Sequence, residues 1–191
     1  DLWAREARDD LEGIVLLKHG IFSFGETARE SYERMINLVS LAETRLGVGG
    51  VEAGRVALPK VLARPAEIAP ILRGKCAPLS SDGGYRHLIA TYRTNEVIKA
   101  YVDGKALPRY SQAGPVTPDH VIRTKRIPVI IGSNAEESVD KFARDYALYF
   151  NKHSSGDLKM LDPAPRWAVW PGYGTISFGT TRRDAEIVGD I

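Results

Sequence analysis

The sequence predicts a layered α/β fold in which a sheet is flanked by helices. Short apolar runs alternate with longer segments whose apolar residues recur every three or four positions, a pattern typical of strands and amphipathic helices. A strand-turn-strand-helix pattern also occurs twice, near the start of the chain and at its end. With 191 residues, 43% of them hydrophobic, the chain is long enough to form a proper core.

The two similar segments are 13–37, GIVLLKHGIFSFGETARESYERMIN, and 166–191, RWAVWPGYGTISFGTTRRDAEIVGDI. An offset of 154, the difference between positions 173 and 19, aligns them without a gap. The Ser-Phe-Gly run at 23–25 then matches the one at 177–179, and His19 matches Tyr173. This difference suggests that one copy keeps a metal ligand that the other has lost.

The first copy predicts a strand over 14–17, buried on both faces, and a second strand over 21–24. Thr27 has the position of a helix N-cap and Glu30 that of its capping-box partner. The helix that follows is predicted to end at the glycines of 47–50 and to bury one stripe of side chains. That stripe consists of Tyr32, Met35, Ile36, Val39, Ala42 and Leu46.

Three regions are predicted along the chain. They are the C-terminal part of one unit (1–50), a linker or crossing segment (51–84) that holds a short helix from Pro65 to Leu72, and a second unit (85–191). The second unit's predicted elements are a strand over 87–92, a helix capped by Thr94, a short helix begun by Thr117-Pro118-Asp119, a strand over 127–131, a long helix capped by Asn134, and a strand over 167–170 that precedes a helix capped by Thr181 and Asp184. Trp167 and Trp170 are expected on one face of their strand, in the core or in a subunit contact.

Composition excludes several classes of function. The formal net charge of +2 comes from scattered basic residues, so we expect no nucleic-acid partner. No apolar run approaches the roughly 20 residues that span a bilayer, so we expect no membrane partner. The single cysteine, Cys76, is predicted to be a small buried residue, and a lone cysteine fits a cytoplasmic location.

Two sets of residues are candidates for chemistry. His19 lies at a strand break before a glycine, where an imidazole suits either a zinc ligand or a hydrogen-bonded side chain at a sheet edge. His120, Arg123 and Lys125 follow a helix start and could bind a phosphate or carboxylate. The alternative is that Asp119 caps this helix, His120 is packed and the two cations are solvated.

The stretch 13–46 resembles the C-terminal part of the class II aldolase/adducin family, in which a strand ending in His-Gly is followed by an aromatic residue, a glycine and a helix. The resemblance implies a class II aldolase-like layered sheet and makes His19 the last of three zinc ligands. The other two ligands would come from a His-x-His strand upstream, with a catalytic acid earlier still. Neither is present ahead of His19 in this sequence, so we expect a fragment that holds the end of one unit and a degenerate second unit.

The runs 114–125 and 162–181 are similar to the central part of bifunctional proteins that fuse a class II aldolase to a short-chain dehydrogenase, the rhamnulose-1-phosphate aldolase/lactaldehyde dehydrogenase type. This resemblance implies metal-dependent retro-aldol cleavage of a phosphorylated ketose, with zinc the expected metal, followed by oxidation of the aldehyde with NAD. The NAD-binding domain would lie downstream of Ile191, because the glycines at 172, 174 and 179 lack the dinucleotide-binding spacing.

We expect the fragment alone to be inactive and the intact protein to be a homo-oligomer that binds a sugar phosphate. The alternative is a non-catalytic, adducin-like module whose aldolase-like fold serves only oligomerisation or interaction.

Overall fold

The computed structural model describes residues 2–17, 19–47, 55, 57–58, 64–80 and 82–191. The chain divides into two compact units, Asp1–Glu52 with Val116–Pro118, and Ala53–Pro115 with Asp119–Ile191. Both units combine strands with helices, which confirms the predicted α/β class. The predicted helix stop at 47–50 agrees with a helix that ends at Gly47, while 48–50 and most of the predicted linker lie outside the described residues.

The first unit consists of α1 (Leu2–Glu6), β1 (Gly13–Leu16), β2 (Gly20–Ser23) and α2 (Ala28–Gly47). The strands form an antiparallel hairpin in which Gly13 pairs with Ser23 and Leu16 with Gly20. The predicted cap is confirmed, because the Glu30 amide donates to Thr27 Oγ1 at 3.1 Å. The Glu30 carboxylate accepts from the Glu26 amide at 2.8 Å, one residue earlier than a standard capping box.

Two burial predictions for this unit are wrong. Val15 and Leu16 of β1 are exposed, although the strand was expected to be buried on both faces. On α2, Tyr32, Ile36 and Leu46 of the predicted buried stripe are exposed as well. A helix that packs on a sheet of two strands covers little surface, so an apolar stripe finds too few partners within this unit.

From residue 64 onward, the described residues form four strands and six helices. They are α3 (Pro65–Cys76), β3 (Ile89–Arg93), α4 (Glu96–Val102), α5 (Leu107–Tyr110), α6 (Pro118–Thr124), β4 (Val129–Ile130), α7 (Ala135–His153), β5 (Trp167–Trp170), β6 (Gly174–Gly179) and α8 (Arg182–Asp190). The strands make one sheet of order β3-β6-β5-β4, in which β4 and β5 are parallel and the other neighbours antiparallel.

Helices cover both faces of this sheet. One face packs under α3 and α7, in a core that includes Leu72, Cys76, Val139, Ala168 and Phe178. On the other face, Val102 of α4 and Leu107 of α5 form the second core cluster with Val169 of β5. Helix α8 lies on this second face, where Thr91 Oγ1 contacts both Ser177 Oγ (2.6 Å) and the Ala185 carbonyl (3.3 Å). The architecture is therefore a three-layer α/β/α sandwich.

Helix α3 is longer than predicted and belongs to the core. It continues past Leu72 to Cys76, and both residues are fully buried, so this part of the predicted linker packs as an integral helix. The prediction for Cys76 is confirmed, and burial raises the pKa of its thiol to about 12.

Details of the other elements correct the sequence analysis. Asn95 rather than Thr94 caps α4, by accepting from the Ile98 amide at 2.8 Å. Asn134 caps α7 as predicted. Trp167 and Trp170 lie on opposite faces, each packed with a different core cluster, so the expectation that they share a face is wrong. Residues three positions apart in a strand point to opposite sides, because side chains alternate with a period of two.

Candidate functional site

The turns that carry His19 and Tyr173 belong to hairpins with the same geometry. Strands β5 and β6 start 154 residues after β1 and β2, and α8 starts 154 residues after α2. The strand register is also shared, since Leu16 pairs with Gly20 where Trp170 pairs with Gly174. In both turns the amide of the His or Tyr donates to the carbonyl three residues back at 3.0 Å. The predicted likeness of the two backbones is therefore present element by element.

His19 lies exposed at the end of its hairpin. Its Nδ1 is 3.4 Å from the Leu17 carbonyl oxygen, at the long limit of a hydrogen bond. An imidazole that turns one nitrogen toward a backbone carbonyl leaves the other, Nε2, free to bind a metal. Gly20 follows with a φ of +129°, a conformation that glycine adopts without strain. The geometry of His19 thus suits a single metal ligand.

Tyr173 has a different environment, although its backbone is equivalent. Its ring packs on Trp170, with ring centroids 4.0 Å apart, against the larger core cluster. Its carbonyl accepts from the Tyr92 hydroxyl at 2.6 Å, and the neighbouring Gly172 amide donates to Asp103 Oδ1 at 2.6 Å. Burial raises the pKa of the Tyr173 phenol, with smaller contributions from Tyr92 and Glu67. A neutral, packed phenol is a poor metal ligand compared with an imidazole.

A catalytic metal centre needs about three protein ligands that converge on one point. Within the described part of the chain, no group of three His, Cys, Asp or Glu side chains could hold a metal ion. The described residues therefore do not form a metal centre by themselves. His19 can supply one ligand, and the remaining ligands would have to come from elsewhere.

The three candidate anion-binding residues on and after α6 have different partners. His120 is half-buried, and Arg123 is exposed with its guanidinium 3.8 Å from Asp184. Lys125 is 4% exposed, its ammonium donates to the carbonyls of Asp162 and Ala164, and the Nζ atom lies 4.2 Å from the centroid of the Tyr146 ring. Lys125 is thus directed into the unit, where backbone carbonyls hold its ammonium, so it is not the solvated cation of the alternative. Anion binding by His120, Arg123 and Lys125 stays a prediction.

The sequence analysis did not predict that Lys125 and Asp103 are buried. Burial lowers the pKa of Lys125 to about 8, although Asp162 acts in the opposite direction. Lys125 also has a φ of +59°, in the left-handed region that most residues avoid. Asp103 is the C-cap of α4 and is 7% exposed. The one local signal is the Asp-Gly pair at 103–104, which indicates a turn but not the distant Gly172 amide that Asp103 binds.

Comparison with known families settles the relationship of this chain. The family model described as "Aldolase class II, second domain" matches residues 63–191, more than half of the chain. The chain belongs to this class II aldolase family. Its layered α/β architecture agrees with that membership. The matched part of this aldolase-family chain contains the Tyr173 hairpin, while the His19 hairpin lies before the match begins.

One curated relative is the uncharacterized oxidoreductase YuxG of Bacillus subtilis (strain 168). It is 26% identical over 198 aligned residues, which cover 93% of this chain and 28% of the relative. The aldolase-family chain thus spans less than a third of that relative's length. No solved structure matches the chain. In the described residues, no helix is both long and apolar enough to cross a membrane.

Proposed function

We propose that this chain is the middle part of a bifunctional enzyme that joins a class II aldolase to a short-chain dehydrogenase. The aldolase part would cleave a phosphorylated ketose by a metal-dependent retro-aldol reaction, and the dehydrogenase part would oxidise the released aldehyde with NAD. Membership of the class II aldolase family supports the first activity. The relative's name, an uncharacterized oxidoreductase, supports the second.

The observation that carries the proposal is the contrast between His19 and Tyr173. Two hairpins of the same register present one exposed imidazole and one packed phenol at the same position. In the full-length protein, His19 would hold a divalent metal, which we expect to be zinc, together with ligands from outside the described residues. When bound, such a metal supplies a Lewis acid for the ketose carbonyl. The hairpin's part is to fix the imidazole and leave one ring nitrogen free.

The second unit, by this proposal, has lost the metal and keeps a structural role. Its turn is fixed by Asp103 and Tyr92 and its aromatic ring belongs to the core. We therefore expect the isolated chain to catalyse neither step and to retain no stoichiometric zinc after dialysis against a mild chelator. A cytoplasmic homo-oligomer that binds a sugar phosphate completes the proposal.

The test is an assay of aldehyde release from ketose phosphates by the full-length protein. His19→Ala should lower the rate by at least about 100-fold, because removal of a metal ligand empties or distorts the centre. His153→Ala is the matched control, since this histidine lies at the C-terminus of α7, in the other unit, and should leave the rate unchanged. Equal rates for wild type and His19→Ala, or no aldehyde from any ketose phosphate in a metal-loaded wild type, would favour the non-catalytic, adducin-like module.

A further inference from the structure

We infer that the β1–β2 hairpin is the central pair of an incomplete four-stranded sheet, and that two strands from polypeptide preceding residue 1 complete it in the full-length protein. One strand would add parallel to β1 and the other antiparallel to β2. The second unit has this arrangement, because β4 lies parallel to β5 and β3 lies antiparallel to β6. Within the described residues, β1 and β2 pair with each other and with no further strand.

The exposure of equivalent residues provides the first line of support. Val169 and Ile176 are buried, with 0% and 3% of their surface exposed, whereas their counterparts Val15 and Phe22 are 73% and 55% exposed. Val169 packs under α4 and α5, and Ile176 faces α3 and α7. Val15 and Phe22 thus expose large apolar surface on both faces of the hairpin. Such surface is expected to be covered by protein.

The glycines after the two turns point to a strand beside β2. Gly174 has a φ of +149°, and a Cβ placed on it would collide with the carbonyl oxygen of Arg93 on β3. Gly20 has nearly the same φ, yet a Cβ placed there meets nothing within 4 Å. If a strand pairs with β2 in the full-length protein, its backbone would approach Gly20 closely. That approach would explain why a glycine occupies this position.

A hydrogen-bond network shows the same difference. In the second unit, Thr91 of β3 lies between Ser177 Oγ and the Ala185 carbonyl. In the first unit, the equivalent atoms bond each other directly, as Ser23 Oγ donates to the Ser31 carbonyl at 2.8 Å. The position of Thr91 therefore has no counterpart among the described residues of the first unit, although a serine hydroxyl and a helix carbonyl occupy the positions of its two partners.

Chain order and the comparisons indicate which polypeptide supplies the two additional strands. In the second unit both flanking strands precede the hairpin, and subtraction of 154 from 89 and 129 places their counterparts about 65 and about 25 residues before the numbering starts. The matched family is described as a second domain, and the chain covers 28% of its curated relative. These facts favour a preceding segment of the same polypeptide over a second copy of the chain.

Hydrogen-deuterium exchange on the full-length protein, at concentrations where it is and is not oligomeric, tests the inference. We expect the amides on both outer edges of 13–23 to be protected at every concentration, together with two segments near the positions given above. Val15→Lys should speed exchange throughout 13–23 by about tenfold or more, because it places a charge in the completed core. Val97→Lys is the control, since Val97 is 78% exposed on α4 and should change nothing.

Fast exchange at either edge of the hairpin would overturn the inference. Protection that disappears on dilution would overturn it too, since the edges would then be covered by another molecule. Neither readout depends on catalysis, so a completed sheet in a protein that releases no aldehyde would reject the proposed function and leave this inference standing. Aldehyde release by a protein whose hairpin edges exchange fast would support the proposed function and reject this inference.

Discussion

Val15 and Val169 occupy the same position in two hairpins of identical register, yet Val169 is fully buried and Val15 is 73% exposed. The difference comes from the neighbours. Val169 lies in a central strand with helices on both faces of the sheet, and Val15 lies in a hairpin that one helix covers in part. The same local sequence pattern therefore builds the same backbone in both places, whereas burial depends on the rest of the sheet.

Alanine substitutions at the two equivalent glycines should have unequal effects on stability. Gly174→Ala should lower the free energy of unfolding by about 3 kcal/mol or more, because the new Cβ would collide with the Arg93 carbonyl and the φ of +149° would be strained. Gly20→Ala should cost about 1 kcal/mol in residues 1–191, since only the strain remains. Urea unfolding, followed separately for each unit, measures both changes.

The same two substitutions, made in the full-length protein, test whether a strand lies beside β2. If a strand lies beside β2 there, the cost of Gly20→Ala should rise to that of Gly174→Ala. Equal, small costs for Gly20→Ala in both forms would indicate that no backbone approaches this glycine.

Stability of the second unit should increase between pH 8 and 9. Lys125 has a pKa of about 8 when folded and 10.5 when unfolded, so above pH 8 the folded state releases a proton that the unfolded state keeps. The free energy of unfolding then rises by about 1.4 kcal/mol per pH unit. Cys76 acts in the opposite direction above pH 9, because its pKa rises from 9.0 to about 12 on folding. We expect a rise of about 1 kcal/mol, then a plateau, in urea unfolding at pH 7.5 to 10.

Single substitutions separate the two groups. Cys76→Ala should extend the rise to pH 10, to a total of about 2.5 kcal/mol, because the opposing thiol is gone. Lys125→Met should abolish the rise between pH 8 and 9. A Lys125→Met variant that keeps the wild-type pH profile would show that another group titrates.

Asp103 should stabilise the second unit through the Gly172 amide. Asp103→Ala removes the acceptor of a 2.6 Å hydrogen bond in a buried position, and should cost about 2 to 3 kcal/mol of unfolding free energy. Asp103→Asn keeps an oxygen acceptor and should cost about 1 kcal/mol. Thermal melting of the two variants checks the order, and an Asn variant as unstable as the Ala variant would mean that the negative charge is what matters.

Local patterns predicted much of the fold. The capping residues Thr27, Asn134 and Thr181 are where the sequence placed them, because a cap depends on residues three positions apart. Both hairpins follow from apolar runs broken before a glycine. The α4 cap was placed one residue early, at Thr94 instead of Asn95, since neighbouring polar residues compete for the same role.

Features that depend on distant residues could not be predicted in this way. Lys125 looks like a solvated cation in the sequence, and its burial depends on carbonyls at 162 and 164 that the fold brings to it. The exposed apolar stripe of α2 was predicted to be buried. Periodicity shows which side of a helix is apolar, but it does not show what packs against that side. For the site, the role of His19 as a metal ligand stays a prediction from the resemblance, and the sequence could not supply its partner ligands.

Metal analysis of the purified full-length protein tests the central claim most directly. Wild type and the His153→Ala control should each carry about one equivalent of divalent metal per chain after dialysis, and His19→Ala should carry almost none. The same metal content in His19→Ala as in wild type would contradict the assignment of this imidazole as a ligand, and with it the aldolase function proposed for the first unit.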